Sequence, residues 1–393
     1  MSPGQLLMEL RSATFSGLYE VGCLRALAKP SSGSIRYCVL AYHGISDAPQ
    51  PLFTSTRLFE AHLRFFRQWG SVASMDEVAS FLSGQTVPAG PPLRFVITFD
   101  DGYANVIRNA VPLLRQHCAR GIVYINPGWI DRGIIPWWFQ LAGPGTVARQ
   151  FRRKLAQEGF GGYQNLDEAE GDLWPMQIIS AILDRVPQEQ FEEWWSDRSS
   201  RGNEAHSSRT LNPLSPRETS GERAGERGTV APTHIVPNVS ANSFESPAPV
   251  AGSDSEAKLA GWTQLASARD VLDVGSHTYS HSILGLCRDH EFIRDQVMRS
   301  KAVIEQRLGG VCMHFAYPRG QETDHSQATQ KLLAAARHRT AVTTRTGLVD
   351  AKTKCLEIPR FYIGETPVAE LAAQLAGVLD LWDGLVNRLK VYR

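Results

Sequence analysis

From about Arg36 the chain alternates short apolar, β-branched runs with longer amphipathic ones. This is the pattern of βα units around a parallel sheet: strands buried on both faces read as continuous apolar runs, and the connecting helices carry one apolar stripe. The strand positions are Tyr37–Tyr42, Phe95–Phe99, Ile122–Ile125, Val271–Val274, Met313–Tyr317 and Thr340–Thr343. Thr56 to Gln68 places Leu58, Phe59, Leu63 and Phe66 at helical spacing, and Ala104 to His117 does the same with Val106, Ile107, Ala110, Leu113 and Leu114. Glu291 to Leu308 and Gln327 to Arg337 also read as helices. In such folds the chemistry sits where strands end and loops begin, so polar residues directly after the strands are the candidates.

The alternation breaks after Trp138 and resumes near residue 260, which gives an expected organisation in six parts. Residues 1–35 form an N-terminal helical extension, and 36–142 the first part of an α/β barrel. Residues 143–198 form a helical insertion. Residues 199–259, rich in Ser, Pro, Gly, Glu and Arg without periodicity, form a disordered loop on the surface. The second barrel part spans 260–365. The segment 366–393 is an amphipathic helix with Pro367 at its first position and Val368, Leu371, Leu375, Val378, Trp382, Leu385 and Leu389 on one face, expected to pack on the domain.

Composition narrows the function classes. With 393 residues, 42% of them hydrophobic and 21% charged, the chain can bury a full core. Lys+Arg 41 against Asp+Glu 40 leaves a net charge of +1, so no overall field would hold it on nucleic acid. The six cysteines contain no Cys-x-x-Cys pair and read as reduced, mostly buried small hydrophobes. Glu9, Arg11, Glu20 and Arg25 interrupt the early apolar stretches before a signal core or a membrane span forms. The expectation is a cytoplasmic protein without a transmembrane segment, whose membrane contact is at most peripheral; its oligomeric state is open.

Two motifs carry chemistry. Thr98-Phe99-Asp100-Asp101-Gly102 follows the strand ending at Phe99 and puts two carboxylates side by side, which is costly to bury unless a cation or a proton compensates one of them. A turn with an Asp cap and a Gly is the plainer explanation of that motif alone. Gly275-Ser276-His277-Thr278-Tyr279-Ser280-His281 follows another strand, and on a helical turn the spacing i and i+4 would put both imidazoles on one face. With Asp101 these histidines make two imidazoles and one carboxylate with coordination positions left open, a set suited to a catalytic metal.

In combination these motifs resemble those of the polysaccharide deacetylases, the NodB-homology group of carbohydrate esterases (family four). The resemblance extends to Tyr42-His43-Gly44, Phe315-Ala316-Tyr317-Pro318-Arg319-Gly320, Ala341-Val342-Thr343-Thr344 and Ile358-Pro359-Arg360, over about residues 36–142 and 260–364. It implies a distorted (β/α) barrel. It further implies Asp101, His277 and His281 as ligands of a divalent metal ion, zinc by default, and Asp100 as the base that takes a proton from the activated water. The oxyanion donor of the family matches the backbone N–H of Arg319. Ala316 stands where the common third motif has an arginine, and Ile358-Pro359-Arg360 replaces the usual late histidine. Both departures are similar to a subgroup that includes the poly-N-acetylglucosamine deacetylases. By that likeness His43 protonates the leaving amine and Arg360 orients Asp100 through a charge-assisted contact.

The substrate so implied is an N-acetylated glycan or glycolipid, met in the cytoplasm as a lipid-linked or nucleotide-linked intermediate. Trp137-Trp138 is either a sugar-stacking platform or a buried pair. Three other readings compete: a non-catalytic glycan-binding protein on the same fold, a cyclic-amide hydrolase acting on a small molecule, and an iron(II) oxygenase. The last sits poorly with an Asp that precedes both histidines in a βα pattern.

Overall fold

The computed structural model describes residues 3–28, 34–48, 50, 52–136, 138–139, 256–379 and 381–382. The expected helical insertion at 143–198, most of the expected disordered loop, Trp137, Leu385 and Leu389 lie outside the described residues. Helices α1 (Pro3–Glu20) and α2 (Cys23–Leu27) precede β1 (Arg36–Tyr42), β2 (Gly44–Ile45), β3 (Phe53–Thr54), α3 (Thr56–Trp69), β4 (Ser71–Val72), α4 (Met75–Leu82) and β5 (Leu93–Phe99). A π-turn (Val106–Ala110), α5 (Val111–Gln116), β6 (Gly121–Ile125) and α6 (Pro127–Arg132) follow. After residue 255 come α7 (Trp262–Ser267), β7 (Leu272–Ser276), α8 (His290–Leu308), β8 (His314–Ala316), α9 (Gln327–Ala335), β9 (Thr340–Val342), β10 (Phe361–Tyr362) and α10 (Val368–Leu375).

Every ladder of the main sheet is parallel, in the order β10-β1-β5-β6-β7-β8-β9, with β4 beside the first half of β5. Isolated bridges from Val342 to Ile358 and from Tyr37 to Val349 carry the chain from β9 back towards β10 and β1. The parallel sheet follows the alternation, and it curls into the distorted (β/α) barrel of the NodB type that the resemblance implied. Strand alternation divides the core. Tyr37, Val39, Val96, Ile122, Tyr124, Ala316, Val342 and Ile358 pack together inside, while Cys38, Leu40, Tyr42, Phe95, Ile97 and Phe99 join the helices outside. That parity continues past the strand ends: His43 extends the inward set of β1 and Asp100 that of β5.

Three helices start on side-chain caps: Ser74 accepts from the Glu77 N–H at 3.1 Å, Asp289 from the Glu291 N–H at 2.8 Å, and Ser326 from the Thr329 N–H at 3.2 Å. The last of these begins α9.

Several expectations need correction. The C-terminal segment is not one continuous helix, because α10 stops at Leu375 and Gly377 turns the chain at φ +68. Trp382 instead meets Phe15 of α1 edge-on, with ring centroids 5.9 Å apart. Residues 256–259, expected in the loop, are part of the described fold: Leu259 bridges Tyr103, and the Ala104 N–H donates to the Lys258 carbonyl at 2.8 Å. The cysteines are free, but only Cys38 and Cys312 are buried, and Cys23 and Cys118 are exposed. Among the described residues no helix is long and apolar enough to cross a membrane.

Candidate functional site

The site forms where β1, β5, β7 and β8 end. The Asp100 N–H donates to the Tyr42 carbonyl at 2.9 Å, which locks the ends of β5 and β1 together and sets His43 against Asp100. Arg360, fully buried just before β10, grips that carboxylate from both sides: Nη1 lies 2.8 Å from Oδ1 and Nη2 2.7 Å from Oδ2. The guanidinium also donates to Thr98 Oγ1 at 3.0 Å and to the Thr343 carbonyl at 2.9 Å. Burial alone would push Asp100 up, but the adjacent guanidinium wins and holds its carboxyl well below the usual carboxylate range.

Asp101 has no such partner. The chain turns into the left-handed region at Asp101 (φ 68) and Gly102 (φ 81), aiming this side chain the other way. Tyr103 donates its hydroxyl to Asp101 Oδ2 at 2.8 Å, whereas the buried Oδ1 has no hydrogen-bond partner. Oδ1 lies 3.6 Å from His277 Nε2 and 3.4 Å from His281 Nε2. Burial and then the Asp100 charge push Asp101 up to about 8.

His277 Nδ1 lies 2.8 Å from the Ala316 carbonyl, which assigns the proton to Nδ1 and leaves an acceptor lone pair on Nε2. Burial lowers both imidazoles, and at His281 the neighbouring His277 lowers it further. The orphaned Asp101 oxygen and the Nε2 atoms of His277 and His281 thus converge on one point. These three residues are, among the described residues, the one group of His, Cys, Asp or Glu whose ligand atoms lie within 4.8 Å of one another. A divalent cation fits this donor set, and one positive charge already spent on Asp100 leaves Asp101 to be compensated by a second.

The loop that presents the histidines is not the helical turn that the i, i+4 spacing suggested. β7 runs to Ser276, and the chain then bends with Thr278 at φ 64 and His281 at φ 61, so the two rings meet at 4.9 Å and 76°. Neighbouring groups hold this bend. Gln296 accepts the Tyr279 N–H on its carbonyl and the Ser280 N–H on its side chain, both at 3.0 Å. Asn126 Nδ2 donates to the carbonyls of His277 and Thr278. Gly128 lets the Tyr279 ring approach, since a Cβ there would stand 2.5 Å from it.

Around this centre, His43 is half-buried and stands edge-on to Tyr362, with ring centroids 5.7 Å apart. Burial lowers His43 to about 4, against the opposing pull of Asp100. Arg319 takes φ 60 in the loop after β8, and its side chain turns onto buried Asp324, 2.9 Å from Nε to Oδ2. Trp138 is only 8% exposed, so it is a wall rather than a sugar platform: its ring lies 5.0 Å from His281 and 5.5 Å from Trp129.

The structure therefore brings Asp100, Asp101, His277, His281, His43 and Arg360 to one end of the barrel. Sequence reasoning missed Tyr103, Asn126, Trp129 and Gln296, which orient the site without matching a motif. Their one sequence signal is that Tyr103 follows the Asp-Asp-Gly run directly.

A parallel (β/α) barrel with two imidazoles and a carboxylate at its strand ends defines the NodB class of polysaccharide deacetylase folds. The sequence model of the polysaccharide deacetylase family matches residues 252–338, which include the His277–His281 segment. The fold is similar to the Streptococcus pyogenes deacetylase PplD, solved in complex with acetate, at 15% identity and a TM-score of 0.51, over 87% of this chain and 99% of that one. It is likewise similar to IcaB from Ammonifex degensii, at 15% identity and a TM-score of 0.51, over 88% of this chain and 98% of that one. No curated protein matches the chain in sequence. The family match thus covers the second half of the barrel, and the likeness to the solved structures covers the fold of most of the chain.

Proposed function

We propose that the chain removes acetyl from an N-acetylated sugar of a glycan or glycolipid, with a divalent cation, zinc by default, held by Asp101, His277 and His281. The observation that carries this reading is the division of labour between adjacent carboxylates: Arg360 neutralises Asp100, while Asp101 Oδ1 stays orphaned beside two imidazole nitrogens. When bound, the cation supplies Lewis-acid polarisation of the amide carbonyl and makes water a nucleophile near neutral pH.

The chain's own residues do the rest. Asp100, kept ionised and fixed in orientation by the two Arg360 contacts, accepts the proton of the attacking water. The backbone N–H of Arg319, in the turn after β8, donates to the oxyanion that forms on the acetyl carbonyl. His43 gives a proton to the departing amine. Because burial keeps its imidazole neutral near pH 7, the proton it gives is the one that the attacking water releases to Asp100, passed on to His43 before the C–N bond breaks. Tyr362, 44% exposed against His43, offers an apolar face for the sugar ring. That PplD was solved with acetate is consistent with release of this product.

Acetate release from N-acetylglucosamine oligomers tests the reading. Wild type should release acetate and Asp100→Asn should not, a loss of about 10²–10⁴-fold for removing a general base. Equal release by both would overturn the assignment of the base, and no release by metal-loaded wild type would overturn the substrate class.

A further inference from the structure

Trp138 reaches two ligands of the candidate metal centre at once. Its indole Nε1 donates to the Tyr103 hydroxyl at 3.1 Å, and that hydroxyl donates on to Asp101 Oδ2 at 2.8 Å. Its ring meanwhile packs 5.0 Å from the His281 imidazole, which Trp129 backs from 5.3 Å. The phenol of Tyr103 is fully buried and held between Phe53 and Phe139, with ring centroids 5.2 and 5.7 Å away. The two described stretches that flank residues 140–255 both close on this tyrosine: Trp138 and Phe139 from one side, and Leu259, which bridges it, from the other.

We propose that Tyr103 and Trp138 are positioning residues that select Asp101 Oδ1 as the metal-binding oxygen and hold it in place. A carboxylate has two equivalent oxygens and free rotation about its last bond. Saturating Oδ2 with a donor, and polarising that donor with the indole N–H, removes one oxygen from competition and strengthens the hydrogen bond to the other side of the carboxylate. The remaining oxygen then faces His277 and His281 before any cation arrives, which lowers the ordering cost of binding. The inference rests on the metal reading given above, and it assigns to this chain an outer layer built from the edges of its long intervening segment.

The test is zinc affinity of the full-length chain, read by competition between metal-free protein and a chromogenic chelator, with thermal melts of the metal-free protein alongside. Tyr103→Phe keeps the ring between Phe53 and Phe139 and should weaken zinc binding about 10–100-fold, the range for outer partners of metal ligands. Trp138→Phe, which keeps Tyr103 but removes the indole N–H, should weaken it less, and neither should shift the metal-free melt as far as the metal-bound one. Wild-type affinity in both variants would overturn the inference while leaving the metal reading intact. No zinc binding by wild type would overturn both.

Discussion

Replacing Arg360 by methionine is the perturbation whose size the structure fixes best. The side chain is fully buried and makes two contacts with Asp100 at 2.8 and 2.7 Å, one with Thr98 and one with the Thr343 carbonyl. Methionine fills similar volume and removes every donor, leaving the 3% exposed Asp100 without its counter-charge. Breaking one side of a buried, hydrogen-bonded ion pair costs about 3–5 kcal/mol, because the partner charge stays buried and uncompensated. At about 2–4 °C per kcal/mol, the thermal midpoint by circular dichroism should fall by roughly 10 °C. The double variant Arg360→Met with Asp100→Asn removes both charges and should recover about half of that loss or more, since the cost lies in the unpaired charge. Acetate release should be lost in both variants. A single variant that melts within about 1 °C of wild type, or a double variant that melts lower still by the full sum of the two single losses, would refute the argument that Arg360 serves as the fixed counter-charge of Asp100.

Two further outcomes follow from the same geometry. His62 is buried between the Tyr42 hydroxyl at 3.0 Å and the Thr366 carbonyl at 2.8 Å, and burial lowers it from 6.5 to about 4. The unfolded chain therefore binds the proton first, so its stabilising contribution is complete above pH 6.5 and lost as pH falls to 4, about 3 kcal/mol in all. Denaturant titrations over that window should show a shallower pH dependence in His62→Gln, and an unchanged slope would exclude His62 as the titrating group. For Tyr362, truncation to alanine should raise KM about tenfold with little change in kcat, as expected for loss of a stacking face worth about 1–2 kcal/mol. A selective loss of kcat would instead place Tyr362 in the chemistry through His43.

The barrel was legible because buried parallel strands write continuous apolar runs: six strands were placed from the alternation, and β7 extended only two residues beyond its expected end at Val274. β10 has two residues and β4 two, too few to show any period, so neither strand had a pattern of its own, and Arg360, just before β10, was reached only through the Ile358-Pro359-Arg360 motif. The helix α4 did carry a signal, Ser74 three residues before Glu77, which the apolar spacing alone passes over. The two motifs marked where chemistry would lie. Their local geometry was hidden, because His277 and His281 meet through residues at positive φ that no spacing rule foresees, and Asp101, Thr278, His281 and Arg319 all adopt such angles. Long-range partners were hidden for a different reason. Gln296, Asn126 and Trp138 reach the site from separate elements, and only folding places their donors and acceptors beside residues far away in the chain.

Metal content is the most direct measurement of the central claim that Asp101, His277 and His281 form one cation site. Elemental analysis of purified protein after exposure to zinc and exhaustive desalting should find about one equivalent in wild type and in Asp100→Asn, and far less in His281→Ala, whose fold is checked by circular dichroism. Wild type without metal, or His281→Ala with as much as wild type, would contradict the account.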